Sequence, residues 1–171
     1  MKYHLGNGKF VYVNYFKERL YVHIRVFDKK VPTKKGIAMM PTRFASFLQS
    51  FAGLDEAFEG VLRGDKGVDL MKHIGGGVYG VVKSGSFCVN LRRYWKPDSS
   101  TDQLSPTKQG VALNKDEWRK LKTIMPKIEK LDPLLENCRP CNESLDHCNQ
   151  MGFLSCIECN PFYQEELRNY F

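Results

Sequence analysis

Apolar residues cluster along KFVYVNYF (9–16) and then alternate strictly along RLYVHIRVF (19–27). Leu20, Val22, Ile24 and Val26 fall on one side, and Arg19, Tyr21, His23, Arg25 and Phe27 on the other. A period of two marks a strand with one face buried. The opposite face carries cations and aromatics together, which plain solvation does not require. After a polar loop, GIAMM reads as a further short strand. The period then lengthens: Phe44, Phe47/Leu48, Phe51, Leu54 and Phe58 recur at helical spacing, with Pro41 suited to the first helical position and Gly53 a weak point. The segment GVLRGDKGVD (60–69) reads as a linker.

The same succession then returns. HLGNGKF (4–10) reappears as HIGGGVY (73–79), and RLYVHIRVF as SFCVNLRRY (86–94), so that Arg25 matches Arg92 and Phe27 matches Tyr94. PTKKGIAMMPTRF (32–44) reappears as PTKQGVALNKDEW (106–118), and DSSTDQLS (98–105) is an insertion peculiar to the second copy. The second helix opens with Asn114 and Glu117 at capping-box spacing. Trp118, Leu121, Ile124/Met125, Ile128 and Leu131 form its stripe, and Pro126 predicts a kink or break there. A unit of about 65 residues is too long for a solenoid repeat and reads as a duplicated domain. The expected fold class is α+β, in two tandem units over 1–64 and 65–135, each a sheet of about four antiparallel strands followed by one helix. A Cys-rich tail, 136–171, comes after them.

Composition agrees with a folding chain: 42% of the 171 residues are hydrophobic and 12% aromatic. No apolar run reaches the length of a membrane span, and MKYHLGNGKF lacks the apolar stretch of a signal peptide. An intracellular, non-secreted protein is expected, nuclear or at a viral replication site. The net charge of +7 is unevenly spread, with +6 in residues 1–64, +6 in 65–131 and −5 in 132–171. A basic body with an acidic tail points to a polyanionic partner for the body.

No constellation points to catalysis. Gly75-Gly76-Gly77 is not followed by the Gly-Lys-Ser/Thr of a phosphate loop. His4 and His73 match each other without a nucleophile or acid beside them. Trp118 reads as a core anchor, and Cys88 as a quiet small side chain on a strand. The other five cysteines lie in the tail, where Cys138-x-x-Cys141 and Cys156-x-x-Cys159 come close to the spacing of a zinc ribbon. These four are the candidate zinc ligands, and His147 and Cys148, between the pairs, are available as substitutes. Disulfides, or cysteines that stay reduced, are the competing readings. The acidic, aromatic QEELRNYF (164–171) suits a protein partner, or a place over the basic face in competition with nucleic acid.

LRRYWKPDSSTDQLSPTKQGVALNKDEWRKLKTIMPKIEKL (91–131) resembles the positive cofactor four family of transcriptional coactivators. The resemblance lies in the strand ending Tyr-Trp, the strand after Lys-x-Gly, and the Asn-x-x-x-Trp helix start. GKFVYVNYFKERLYVHIR (8–25) and KKGIAMMPTRF (34–44) match more loosely. The resemblance implies a curved sheet and one helix per unit, with the units packed through their helices as an intramolecular pseudo-dimer. It also implies a single-stranded DNA site at Lys9, Phe16, Lys17, Arg19 and Arg25 in the first unit and at Arg92, Trp95 and Lys96 in the second. Lys34, Lys35 and Lys108 of the recurring loop belong with them, as does Lys83, which stands where a turn aromatic is expected. The copies also diverge: Val78 replaces the counterpart of Lys9, and Asp28 that of Trp95. The expected function is non-enzymatic, sequence-tolerant binding of single-stranded DNA, accessory to transcription or replication and in contact with proteins of those processes. The alternatives are RNA binding on the same fold, or a protein adaptor acting through the tail.

Overall fold

The computed structural model describes residues 1–98, 100–147 and 149–163. Two four-stranded antiparallel meanders follow one another. In the first, β1 (Lys2–Gly6), β2 (Lys9–Phe16), β3 (Arg19–Asp28) and β4 (Val31–Met39) lead into α1 (Pro41–Arg63). In the second, β5 (Asp69–Gly75), β6 (Val78–Lys83), β7 (Val89–Trp95) and β8 (Ser105–Leu113) lead into α2 (Lys115–Glu129). The short α3 (Pro133–Glu136), two single 3-10 turns (Cys141–Glu143 and Leu145–His147) and α4 (Gln150–Leu154) make up the tail. No helix among the described residues is long and apolar enough to cross a membrane.

The alternation in β3 is realised as expected: Leu20, Val22 and Ile24 are buried, while Arg19, Tyr21 and His23 lie on the outer face. Two-residue turns join the strands of the first sheet. Lys17-Glu18 and Lys29-Lys30 each hold two non-glycine residues at positive φ, between 44° and 72°. L residues rarely adopt that left-handed backbone, and here it displays three lysines at the rim.

Each helix packs on the sheet of the other unit as well as on its own. α1 lies against β5 and β6, and α2 against β1 and β2. The helices meet through Phe51, stacked on Trp118 at 4.3 Å, and through Asp55, which accepts from the Trp118 indole N–H at 2.9 Å and pairs with Lys122. One apolar core therefore spans both units, from Leu5 and Val11 to Leu113 and Ile128. A sheet with one helix has too little interior to stand alone, and the exchange supplies the missing cover.

Two boundaries differ from expectation. α1 runs on to Arg63, because Val61 is buried and Gly64, at φ 88°, closes the helix in a left-handed cap, so the connection is only 64–68. α2 passes through Pro126 without a break, since Met125 and Ile128 anchor the last turn in the core. The capping box at Asn114 and Glu117 and the early Pro41 are both present. Cys88 sits one residue before β7, beside the Ser86 hydroxyl, rather than in the strand.

Candidate nucleic-acid interface and metal centre

The recurring Pro-Thr-Lys-x-Gly phrase builds a bulge that aims an arginine. In both sheets the register slips where the phrase crosses the third strand, between Arg25 and Phe27 and between Arg92 and Tyr94. The Thr33 hydroxyl donates to the Val26 carbonyl at 2.7 Å, and the Thr107 hydroxyl to the Arg93 carbonyl at 2.8 Å. The threonine carbonyls accept from the arginines, Arg25 Nη1 at 2.7 Å and Arg92 Nη1 at 2.8 Å. The glycines make room: a Cβ on Gly36 would lie 2.5 Å from the Ile24 carbonyl, and one on Gly110 2.7 Å from the Arg92 stem. The phrase thus holds a guanidinium flat on the outer face, with donors to spare.

On the first sheet that arginine borders a continuous run of rings. His4 meets Phe10 at 4.8 Å, Phe10 meets Phe27 at 5.0 Å, Phe27 meets Tyr12 at 5.6 Å, and Tyr12 stacks on His23 at 4.6 Å and 6°. Tyr21 continues the run 6.0 Å beyond His23. The Lys2 ammonium lies 3.9 Å from the centre of the Phe27 ring. Burial, with the Arg25 charge second, lowers the His23 pKa to about 4, so this ring is uncharged at physiological pH. Its Nε2 bonds the Asn14 side chain at 2.8 Å. The second face is shorter, with His73, Tyr79 and Tyr94 in sequence.

The expected contact residues divide. Phe16 projects at the rim, 60% exposed, with Lys17 above its ring, and Arg19, Lys34, Lys35, Lys83, Trp95 and Lys108 are also exposed. Lys9 is placed otherwise. It points to the core side of β2 and pairs at 2.8 Å with Glu117, which is only 1% exposed. Asn7 donates to the same carboxylate at 2.8 Å. Burial pushes the Glu117 carboxyl up, but hydrogen bonds from Lys9, the Asn114 N–H and Asn7 outweigh it and hold the pKa below the usual range. Lys96, 7% exposed in its side chain, sits under the tail near Asp102.

Two exposed residues of the second unit were not foreseen. Phe87, 67% exposed, is an aromatic in the β6–β7 turn, four residues after Lys83. Arg93 lines a cleft of about 420 Å³ where β4 and β8 run beside each other, together with Tyr21, Arg25, Lys34 and Gln109. Arg93 keeps the alternation of β7, opposite Val78, and is exposed because it lies near the end of the strand at this cleft.

In the tail, Cys141, His147, Cys156 and Cys159 bring their ligand atoms within 4.8 Å of one another and are positioned to bind a metal ion. Cys141 and Cys156 sulfurs lie 3.4 Å apart, and His147 Nε2 lies 3.5 Å from Cys159 and 3.9 Å from Cys141. A tetrahedral zinc with bonds of about 2.3 Å to sulfur and 2.0 Å to nitrogen sets edges of about 3.5–3.8 Å. Burial opposes ionisation of Cys156, but hydrogen bonds from the Cys159 backbone, Cys141 and His147 outweigh it and bring the thiol down to about 7. Cys138, expected as a ligand, is outside this group. It packs half-buried against the core, where burial pushes its thiol up, and His147 takes its place. Cys148 and 164–171 lie outside the described residues.

Two aromatic, arginine-bearing sheets are thus joined through helices that each pack on both units. The family model for Transcriptional Coactivator p15 (PC4) matches residues 3–50 and 84–124, just over half of the chain, and the protein belongs to that family. A Caenorhabditis elegans protein named "Putative RNA polymerase II transcriptional coactivator" is 31% identical over 78 residues, 44% of this chain and 61% of that protein. The chain thus spans less than two thirds of its relative. No solved structure matches.

Proposed function

We propose that this protein is a non-enzymatic, sequence-tolerant single-stranded DNA-binding protein that assists transcription in the nucleus alongside proteins of the transcription machinery. Its units, 1–64 and 65–135, form an intramolecular pseudo-dimer, and the tail, 136–171, carries one structural zinc on Cys141, His147, Cys156 and Cys159. The observation that carries the reading is the run of six rings on the first sheet beside Arg25, with Lys17, Arg19, Lys34 and Lys35 around it. Unpaired bases present π-faces that stack on such rings, at about 1–3 kcal/mol each, while cations along the backbone release counterions. Duplex DNA keeps its bases stacked inside and gains only the second effect. Arg93 and Lys34, in the cleft between the sheets, carry the cationic path to the border of the second face, where Arg92, Trp95, Lys83 and Lys108 form a second candidate surface.

Titration of labelled oligo-dT, a duplex and an RNA of equal length at several salt concentrations tests this reading. Tighter binding of oligo-dT than of duplex, weakening steeply with salt, is expected. Preference for RNA would reassign the target, and no binding to any of the three would leave an adaptor role. Metal analysis of protein purified under reducing conditions should find one zinc per chain.

A further inference from the structure

The two helix–hairpin joints are built from matching parts with opposite charge. At the first, Glu117, three residues after the N-cap of α2, sits on the Gly6-Asn7-Gly8 turn, where Asn7 and Lys9 bind it. At the second, Arg43, three residues after the N-cap of α1, sits on Gly75-Gly76-Gly77. The counterpart of Lys9 there is Val78, so the turn itself offers Arg43 no charged partner. The tail supplies one. Glu158 receives Arg43 Nε at 3.0 Å and Nη2 at 2.5 Å, and its own carbonyl accepts from the Gly76 N–H at 2.9 Å.

Glu158 lies between two members of the metal cluster's closing pair, Cys156 and Cys159, and the chain after them crosses the second sheet. Asn160, Pro161, Phe162 and Tyr163 line a cavity of about 360 Å³ with His73, Tyr79 and Lys96. The internal repeat gives the comparison. His4 is exposed and Gly6 and Gly8 half-buried in the first copy, whereas His73 is half-buried and Gly75 and Gly77 fully buried in the second. Side-chain room matters too. A Cβ on Gly75 would come 2.7 Å from the Glu158 carboxylate, and Gly76 stands where the first copy has Asn7.

We propose that the Cys141–His147–Cys156–Cys159 centre is a metal-dependent clasp: it locks Glu158 onto Arg43 and Gly76, and so holds residues 160–163 as a cap on the His73–Tyr79–Lys96 end of the second face. This rests on the zinc and single-strand readings above. With metal bound, single-stranded DNA takes the first face and the junction cleft. Metal loss frees the cap and adds the second face to the binding surface.

Two measurements on the full-length chain test this separately. The first is amide exchange of the 75–79 turn, with zinc bound and after chelation. Loss of protection there on chelation, with β3 and β7 still protected, supports the clasp, and unchanged protection overturns it whatever the DNA result. The second is oligo-dT binding by Arg25→Ala and Arg92→Ala, each alone and combined with Glu158→Gln, which loosens the clasp without touching a metal ligand. With zinc bound, Arg25→Ala should weaken binding about tenfold and Arg92→Ala less than about twofold. In the Glu158→Gln background, or after chelation, Arg92→Ala should cost about fivefold or more. An equal Arg92→Ala effect in all states would overturn the gating. If no form bound oligo-dT, the single-strand reading would fall, while the exchange data would still decide the clasp.

Discussion

Arg43 and Glu117 hold the same place in the two copies, three residues into the helix, and carry opposite charge. Each docks its helix on the glycine turn of the other unit's sheet, so each joint needs its own counter-charge. Lys9 provides one from within the repeat, and Glu158 provides the other from outside it.

Glu117 is the more deeply buried of the two, and removing it leaves Lys9 and Asn7 facing a closed joint. Glu117→Ala should lower stability by about 3 kcal/mol, read from urea unfolding. Lys9→Met leaves the buried carboxylate with only Asn7 and the Asn114 N–H and should cost about as much, while combining it with Glu117→Gln should recover part of that loss. No recovery in the double variant would mean that packing, rather than the ion pair, dominates the joint.

Gly36 and Gly110 each face the backbone or stem of the arginine opposite. Ala at either position must push β3 or β7 away from its neighbour, so Gly36→Ala and Gly110→Ala should each destabilise by about 2 kcal/mol or more. Gly85, whose Cβ would meet nothing within 4 Å, is the comparison. Its φ of 86° leaves only local backbone strain, and Gly85→Ala should cost about 1 kcal/mol by thermal unfolding.

The duplication, the strand faces, the capping box and the core role of Trp118 were legible in the sequence because each rests on local periodicity or on a spacing within one element. The rest depends on neighbours distant in the chain. Lys9 looked like a phosphate contact until Glu117, 108 residues away, claimed it. The zinc-ribbon spacing singled out Cys138, but the turn that follows α3 packs that residue against the core and leaves the fourth position to His147. Nothing in the repeat announced Glu158, which belongs to neither copy. Phe87 was readable as an exposed turn aromatic, though displaced from the register of Phe16.

His23 is held neutral in the folded state, with its pKa lowered to about 4, while the unfolded chain binds a proton near 6.5. The unfolded state therefore carries more protons between those values, and stability should fall as pH drops from about 6.5 to 4, then level off for this group. Burial lowers the His73 pKa as well, adding in the same direction. His23→Gln keeps a donor for Asn14 and should flatten part of that slope in denaturant melts at stepped pH. An unchanged slope would assign the acid sensitivity to carboxylates such as Glu117.

In the proposed mode of binding, bases stack on the first sheet while Arg25 holds the backbone beside them. Anisotropy titration of labelled oligo-dT with the zinc-loaded wild type, Arg25→Ala and Lys9→Met at several salt concentrations tests it most directly. Arg25→Ala should weaken binding about tenfold and reduce the salt slope by about one ion, with Lys9→Met within about twofold of wild type. Unaltered affinity in Arg25→Ala, or a larger loss in Lys9→Met, would contradict it.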